Sequence, residues 1–312
     1  MTTCLKALLL TTAALGLASC AAVKTEPTTG DASLDAAPAA VEAEAVEAPA
    51  DPMPAAPALE IDPLAAALAA DFRAEDSARD GFRRPAETLA FFGIEPSMTV
   101  AEYAPGGGWY TRVLAPYVSG EGRYLAVNHD IDAYLAGDDV DPERFANAKA
   151  FSETFPGRVN EWTGLDADTI TAFEIDETPE AVAGSVDALV VFRSMHGPTS
   201  RGIEDDMAAH AFALLKPGGT LGIVQHRAKA DAPDDYANGT KGYLRQADVV
   251  ANFEAAGFQL VGTSEVNANA KDTADYEDGV WTLPPVLRGG ETFAEIGESD
   301  RMTLKFMKPS DA

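Results

Sequence analysis

The sequence predicts an α/β fold with a mostly parallel sheet covered on both faces. Three observations predict it. Strand and helix signals alternate from Thr99 to Met307, as they do in βαβ units. The run 188–192 (ALVVF) is uniformly apolar, the mark of a strand buried on both faces. A triplet, Gly106-Gly107-Gly108, stands directly between a strand signal and a helix signal. In such sheets ligands bind outside the carboxyl ends of the strands, so whatever follows a strand directly is a site candidate.

Taken in chain order, the first elements are not part of that body. Residues 1–6 carry Lys6, and 7–18 (ALLLTTAALGLA) form an apolar run too short to span a bilayer. The run suits a secretory signal, and its end, Leu17-Ala18-Ser19-Cys20, resembles the lipobox of bacterial lipoproteins, in which the cysteine is lipidated. The expectation is a signal peptide over 1–19 and a lipid on Cys20. It makes the protein exported and anchored to the periplasmic face of the cell envelope, with the membrane touched through that anchor only. The other cysteine, Cys4, leaves with the signal. The mature body then has neither disulfides, nor cysteine metal sites, nor a cysteine nucleophile. Residues 20–58 are rich in Ala, Pro, Glu and Thr, a composition that cannot bury enough surface to fold and reads as a tether. The globular domain is expected over 59–312.

Within the body, Leu64, Leu68 and Phe72 lie four apart and predict a helix over 63–77. A second helix starts at Pro85, a residue suited to a first turn, and stops at Gly93. Residues 99–103 form a short apolar strand, 109–118 a helix containing Pro116, and 122–128 a strand. After the strand at 188–192 come a helix over 207–215, a Lys-Pro-Gly-Gly turn and a strand over 220–224. A helix over 246–256 ends at Gly257, a good C-terminal cap. Strands over 258–266 and 302–307 complete the series, and there is no internal repeat. The formal charge of −27 excludes nucleic acid as a partner, since phosphates demand a basic face.

The glycine triplet carries the sharpest signal. Glycine permits positive φ and lets a ligand approach the backbone, and the helix that follows offers free N–H groups. An acid, Glu102, ends the strand, and Gly106 and Gly108 fall where E-x-G-x-G-x-G would place them, with Ala104 at the first glycine. This stretch resembles motif I of the class I S-adenosylmethionine-dependent methyltransferases. "SVDALVVF", "LLKPGGTLGIV", "FEAAGFQLV" and "RMTLKFMKP" are similar to that family's later strands, so the likeness covers about residues 85–309. Shared stretches such as "ETLAFFGI", "APGGGWYTR" and "KDTADY…GVWTLPP" resemble a group of predicted bacterial methyltransferases, here with an exported lipoprotein leader.

The resemblance implies a Rossmann-like class I methyltransferase fold, with seven strands of which the last is antiparallel. It implies S-adenosylmethionine as cofactor, with contacts from Glu102, Tyr103, Ala104, Gly106, Gly107 and Gly108; a lid formed by residues 267–299 implies a small-molecule methyl acceptor. The family's ribose-gripping acid at the end of the second strand falls here on Asn128, with Asp130 two residues on. No GxGxxG with a trailing acid favours a nicotinamide cofactor.

His196 follows the strand ALVVF and His226 follows TLGIVQ, so parallel neighbours bring both to one crevice. Histidine is suited to take a proton near neutral pH, which makes the two the candidate bases. No H-x-x-H pairing accompanies them, so no metal is expected. An antiparallel last strand makes residues 267–299 hang over the same edge, with Asp275, Tyr276 and Trp281 in the roof and Tyr243 from the 226–245 loop beside them. An acidic crevice is expected to favour the sulfonium. Two function classes remain open. One is a methyltransferase; the other is an envelope lipoprotein that uses the fold to bind a ligand without methyl transfer, because S-adenosylmethionine is made in the cytoplasm.

Overall fold

The computed structural model describes residues 62–137 and 140–311. The signal, Cys20 and the tether lie outside the described residues. The helices are α1 (Pro63–Leu68), α2 (Asp80–Arg83), α3 (Pro85–Phe92), α4 (Thr111–Val118), α5 (Ile131–Tyr134), α6 (Pro142–Lys149), α7 (Phe151–Thr163), α8 (His196–Thr199), α9 (Glu204–Leu214), α10 (Asp234–Ala237) and α11 (Gln246–Ala255). The strands are β1 (Thr99–Tyr103), β2 (Arg123–Asn128), β3 (Thr171–Glu174), β4 (Val186–Phe192), β5 (Leu215–His226), β6 (Gln259–Ser264) and β7 (Arg301–Met307).

The seven strands form one sheet in the order β3-β2-β1-β4-β5-β7-β6. The first five are parallel to their neighbours, and β7 runs antiparallel to both β5 and β6. The period of two along each strand divides the core. Ala101, Tyr103, Leu125, Val127, Leu189, Val191, Leu221 and Ile223 pack on one face. Val100, Tyr124, Ala126, Ala188, Val190, Phe192 and Val224 pack on the other, under α3, α4 and α7. This is why 188–192 reads as a continuous apolar run. Strand β6 sits at the edge with alternate residues exposed, Val261 among them.

Three differences from the sequence expectations have physical causes. The expected helix over 63–77 stops at Leu68, and two short 3-10 turns, Asp71–Arg73 and Asp76–Arg79, replace the rest. Arg73 is responsible: its fully buried guanidinium bonds the Leu68 carbonyl and Asp80, drawing the chain inward. Helices α6 and α7 and strand β3 were not anticipated. Pro156-Gly157 inside α7 imitates a turn, although Phe155 and Val159 form a buried stripe. Strand β3 has only four residues, too few for a period to emerge.

Candidate active site

Strand β1 ends at Tyr103, and the chain turns through Ala104 at φ +49°, Gly106 at +58° and Gly108 at +74°. Ala104 donates its N–H to the Val127 carbonyl at 2.7 Å, which locks it to the end of β2. A left-handed alanine costs about 1 kcal/mol. Arg193, directly after β4, is left-handed too, at φ +59°. Two such residues side by side at one sheet edge are a mark of functional turns.

The two glycines differ in purpose. A Cβ on Gly106 would meet only the Ala104 carbonyl oxygen, at 3.9 Å, so the space beside it is open. A Cβ on Gly108 would lie 2.1 Å from the Trp162 ring, so its space is filled by α7. Arg158 and Arg112 bond the carbonyls of Gly106 and Gly107 at 3.2 and 3.0 Å. Trp109 is held by the Asp76 carbonyl, with the guanidiniums of Arg73 and Arg83 at 5.1 and 4.5 Å from its ring. The turn is rigid.

It borders a cleft of about 240 Å³ whose walls include Ala104, Gly106, Asn128, His129, Tyr134, Arg158, Arg193, Ser194 and His196. Asn128 closes β2 and bonds the Ala148 carbonyl at 3.4 Å. His129 is fixed by the Tyr103 hydroxyl at 2.6 Å and stacks on Tyr134 at 3.8 Å. Burial, then the Arg201 cation and the neighbouring His196 imidazole, push the His129 pKa down to about 3.

A second cavity, of about 250 Å³, opens at the ends of β4 and β5. His226 and Arg193 line it together with Arg79, Arg83, Glu298, Ser299 and an apolar wall from Val280 to Val286. The pairing of His226 with Arg301 across β5 and β7 brings Ser299 to the ring, with Oγ 2.5 Å from Nδ1. The rings of His226 and His196 are 6.0 Å apart, and Trp281 stands edge-on to His196 at 6.1 Å. Arg193 lines both cavities. Burial drives both histidines below their ordinary range, His196 to about 4. For His226, His196 and then Arg301, Arg193 and Arg83 lower it further. Both are neutral at pH 7, so each can accept a proton, though weakly.

Several expected site residues lie elsewhere. Glu102 does not line the cleft: its carboxylate points into the core and accepts from Thr111 and Tyr124 at 2.7 Å each. Burial raises its pKa to about 7 against those two hydrogen bonds. Asp130 caps α5 through the Ala133 N–H. Its carboxylate clusters with Glu174 and Asp176, and Lys149 and the Ile131 N–H bond Glu174 there. Asp275 is exposed and paired with Lys229, and Tyr276 accepts from the Thr273 N–H. Tyr243 is buried and donates to Asp272 at 2.9 Å; only its ring edge approaches His226, at 6.2 Å. Of the expected roof residues, Trp281 alone lines a cavity. The expected acidic crevice is not there either: no carboxylate lines the cleft, and Arg158 and Arg193 do.

Sequence reasoning missed Arg79, Arg83, Arg193, Glu298 and Ser299. Arg193 was within reach, since it follows β4 directly, as His196 does three residues on. The others come from segments far apart in sequence and carried no local signal.

The sequence matches no protein-family model and no curated protein. Among solved structures, the chain is similar to a SAM-dependent methyltransferase from Aquifex aeolicus, with 14% identity, 76% of this chain and 96% of that one covered, and a TM-score of 0.45. It is similar to geranyl diphosphate C-methyltransferase from Streptomyces coelicolor A3(2), with 13% identity, 78% and 87% coverage and a TM-score of 0.49. A geranyl diphosphate methyltransferase in complex with SAM gives 16% identity, 78% and 94% coverage and a TM-score of 0.47. Likeness at this depth concerns the chain path. Function has to be argued from the residues of the site.

Proposed function

We propose that the protein binds S-adenosylmethionine in the cleft beside Gly106 and transfers its methyl group to a small molecule held beside His226. The observation that carries this reading is the open space at Gly106: a left-handed glycine at the end of β1, clamped by Arg158, with no protein atom where its side chain would be. The residues present fit the cofactor in outline. The Asn128 amide can bond a ribose diol without the strength of a carboxylate. Arg158 answers the carboxylate of the methionine part, and Ser194 adds a hydroxyl to the wall.

When bound, the cofactor supplies a methyl group on a sulfonium, open to in-line displacement. The protein's own task is to align the acceptor and exclude water. In the tautomer whose Nδ1–H donates to the Ser299 hydroxyl, the Nε2 of His226 takes a proton from an acceptor hydroxyl or amine. Trp281 and the following apolar residues close the outer side.

Binding without methyl transfer is the second reading. What supports it is the absence of any carboxylate from the cleft walls, together with the export signal. Lipidation of Cys20 and placement at the periplasmic face belong to the proposal. A Cys20→Ser chain then remains an unlipidated precursor, and a cytoplasmic protein with Met1 intact counts against export. Titration calorimetry of the full chain tests the main reading: S-adenosylmethionine and S-adenosylhomocysteine should each bind at one site. No heat with either at saturating concentration refutes it.

A further inference from the structure

Four guanidinium groups surround one carboxylate in the second cavity. Glu298 receives Arg79 at 2.6 Å, Arg83 at 3.1 Å, Arg301 at 3.2 Å and Arg193 at 3.8 Å. Among the described residues none of the four has another carboxylate within ion-pair distance. Arg83 and Arg301 are buried and Arg79 and Arg193 half-buried; burying a cation without its own counter-ion costs several kcal/mol, so a reason for the excess is needed.

A structural role accounts for one of them. Arg301 also bonds the carbonyls of Ser299 and Phe82 at 3.1 and 2.9 Å, which ties β7 to α2. Arg83 has a structural contact too, over the Trp109 ring at 4.5 Å, but Arg79 and Arg193 have no side-chain partner besides Glu298 among the described residues. Arg83 is 3% exposed, and its Nη1 has no hydrogen-bond partner. Arg79 has a buried, unpartnered Nη2. The Arg193 guanidinium donates no hydrogen bond among the described residues, and its residue is held in a left-handed turn that aims it between the two cavities. Opposite these cations the wall is apolar: Val280, Trp281, Leu283, Pro284, Pro285 and Val286. The chain as a whole carries −27, so a positive pocket is a local construction.

We infer that Arg79, Arg83 and Arg193 form an oxyanion subsite for a small organic acid, a carboxylate or phosphate on an apolar body that lies against Trp281. Forked guanidiniums match the planar carboxylate and the phosphate alike. The anion sits against the partly exposed guanidiniums of Arg79 and Arg193, with the buried Arg83 behind them, and the body extends past His226 toward His196 and the cleft. Glu298 sets the geometry by gathering the guanidiniums around one carboxylate against their mutual repulsion. Calling this anion the methyl acceptor rests on the methyl-transfer reading; the subsite itself does not.

The test uses the full chain, titration calorimetry at low salt and four probes: phenylacetate, phenyl phosphate, neutral phenylacetamide and S-adenosylhomocysteine. At least one of the two anions should bind tenfold or more tightly than the amide, and the tighter one identifies the headgroup. Raising the salt should weaken the anion and leave the amide unchanged. Arg79→Gln, at the partly exposed rim, should remove about tenfold of the preference. Anions binding no better than the amide to the unaltered chain overturn the inference without any variant. So does an anion preference that Arg79→Gln leaves intact. If the anion preference holds while S-adenosylhomocysteine gives no heat, the subsite stands and the methyl-transfer reading falls.

Discussion

Gly106 and Gly108 look alike in sequence and do different things. Gly106→Val places its side chain in the open cleft at φ +58°. It should abolish S-adenosylhomocysteine binding while the chain stays folded, as read by calorimetry beside a thermal melt. Gly108→Val drives its side chain into Trp162 at φ +74°, so it should destabilise the fold by about 3 kcal/mol, a loss the same melt reports. A glycine pattern shows where backbone freedom is needed. Whether a ligand or a tryptophan takes the space depends on α7, which the sequence did not reveal. Glu102 gives a similar lesson: E-x-G marks the end of β1, but strand parity turns the carboxylate toward Thr111 and Tyr124.

At the scale of elements, the antiparallel return of β7 organises the second cavity. It pairs Arg301 with His226 and so carries Glu298 and Ser299 to the ends of β4 and β5. The position of the 267–299 connection over the carboxyl edge was legible, because it follows from topology alone. Which of its side chains face inward was not, since the segment has no period to read; Asp275 and Tyr276 stabilise it from outside. His226→Ala should lower methyl transfer by about two to four orders of magnitude, the range for a lost general base, and leave cofactor affinity unchanged. Trp281→Ala should instead raise the acceptor KM with little change in kcat, because an aromatic wall supplies contact area. Steady-state kinetics separates the two effects.

Across the whole molecule, three half-buried histidines and the buried carboxylate of Glu102 set opposing pH dependences. His129, His196 and His226 have folded pKa values below the unfolded one, at about 3, about 4 and well below ordinary. The unfolded chain therefore binds more protons, and stability is lost as pH falls from about 6.5. Glu102 is the reverse. Its folded pKa is raised to about 7, so the folded state binds the proton more tightly, and stability is lost as pH rises from about 4.5 through about 7. Three histidines outweigh one carboxylate, so thermal midpoints should rise with pH toward neutrality and level off above about 7. Glu102→Gln should raise the midpoint at and above neutral pH, with a gain on the order of 3 kcal/mol at pH 8 and little change below pH 4.5; an unchanged midpoint at pH 8 removes Glu102 as a source of the pH dependence. The same scale explains why the net charge misled: −27 is a sum over the whole sequence, while Arg79, Arg83 and Arg193 meet only through tertiary folding.

The central claim is that the cleft beside Gly106 holds the methyl donor and opens at Arg193 toward the His226 cavity. A crystal structure of the protein with S-adenosylhomocysteine tests it most directly. The account predicts the ligand against Gly106, its ribose at Asn128, its carboxylate at Arg158 and its sulfur facing the His196–His226 side. An empty cleft at saturating ligand, or the ligand bound elsewhere on the chain, contradicts it.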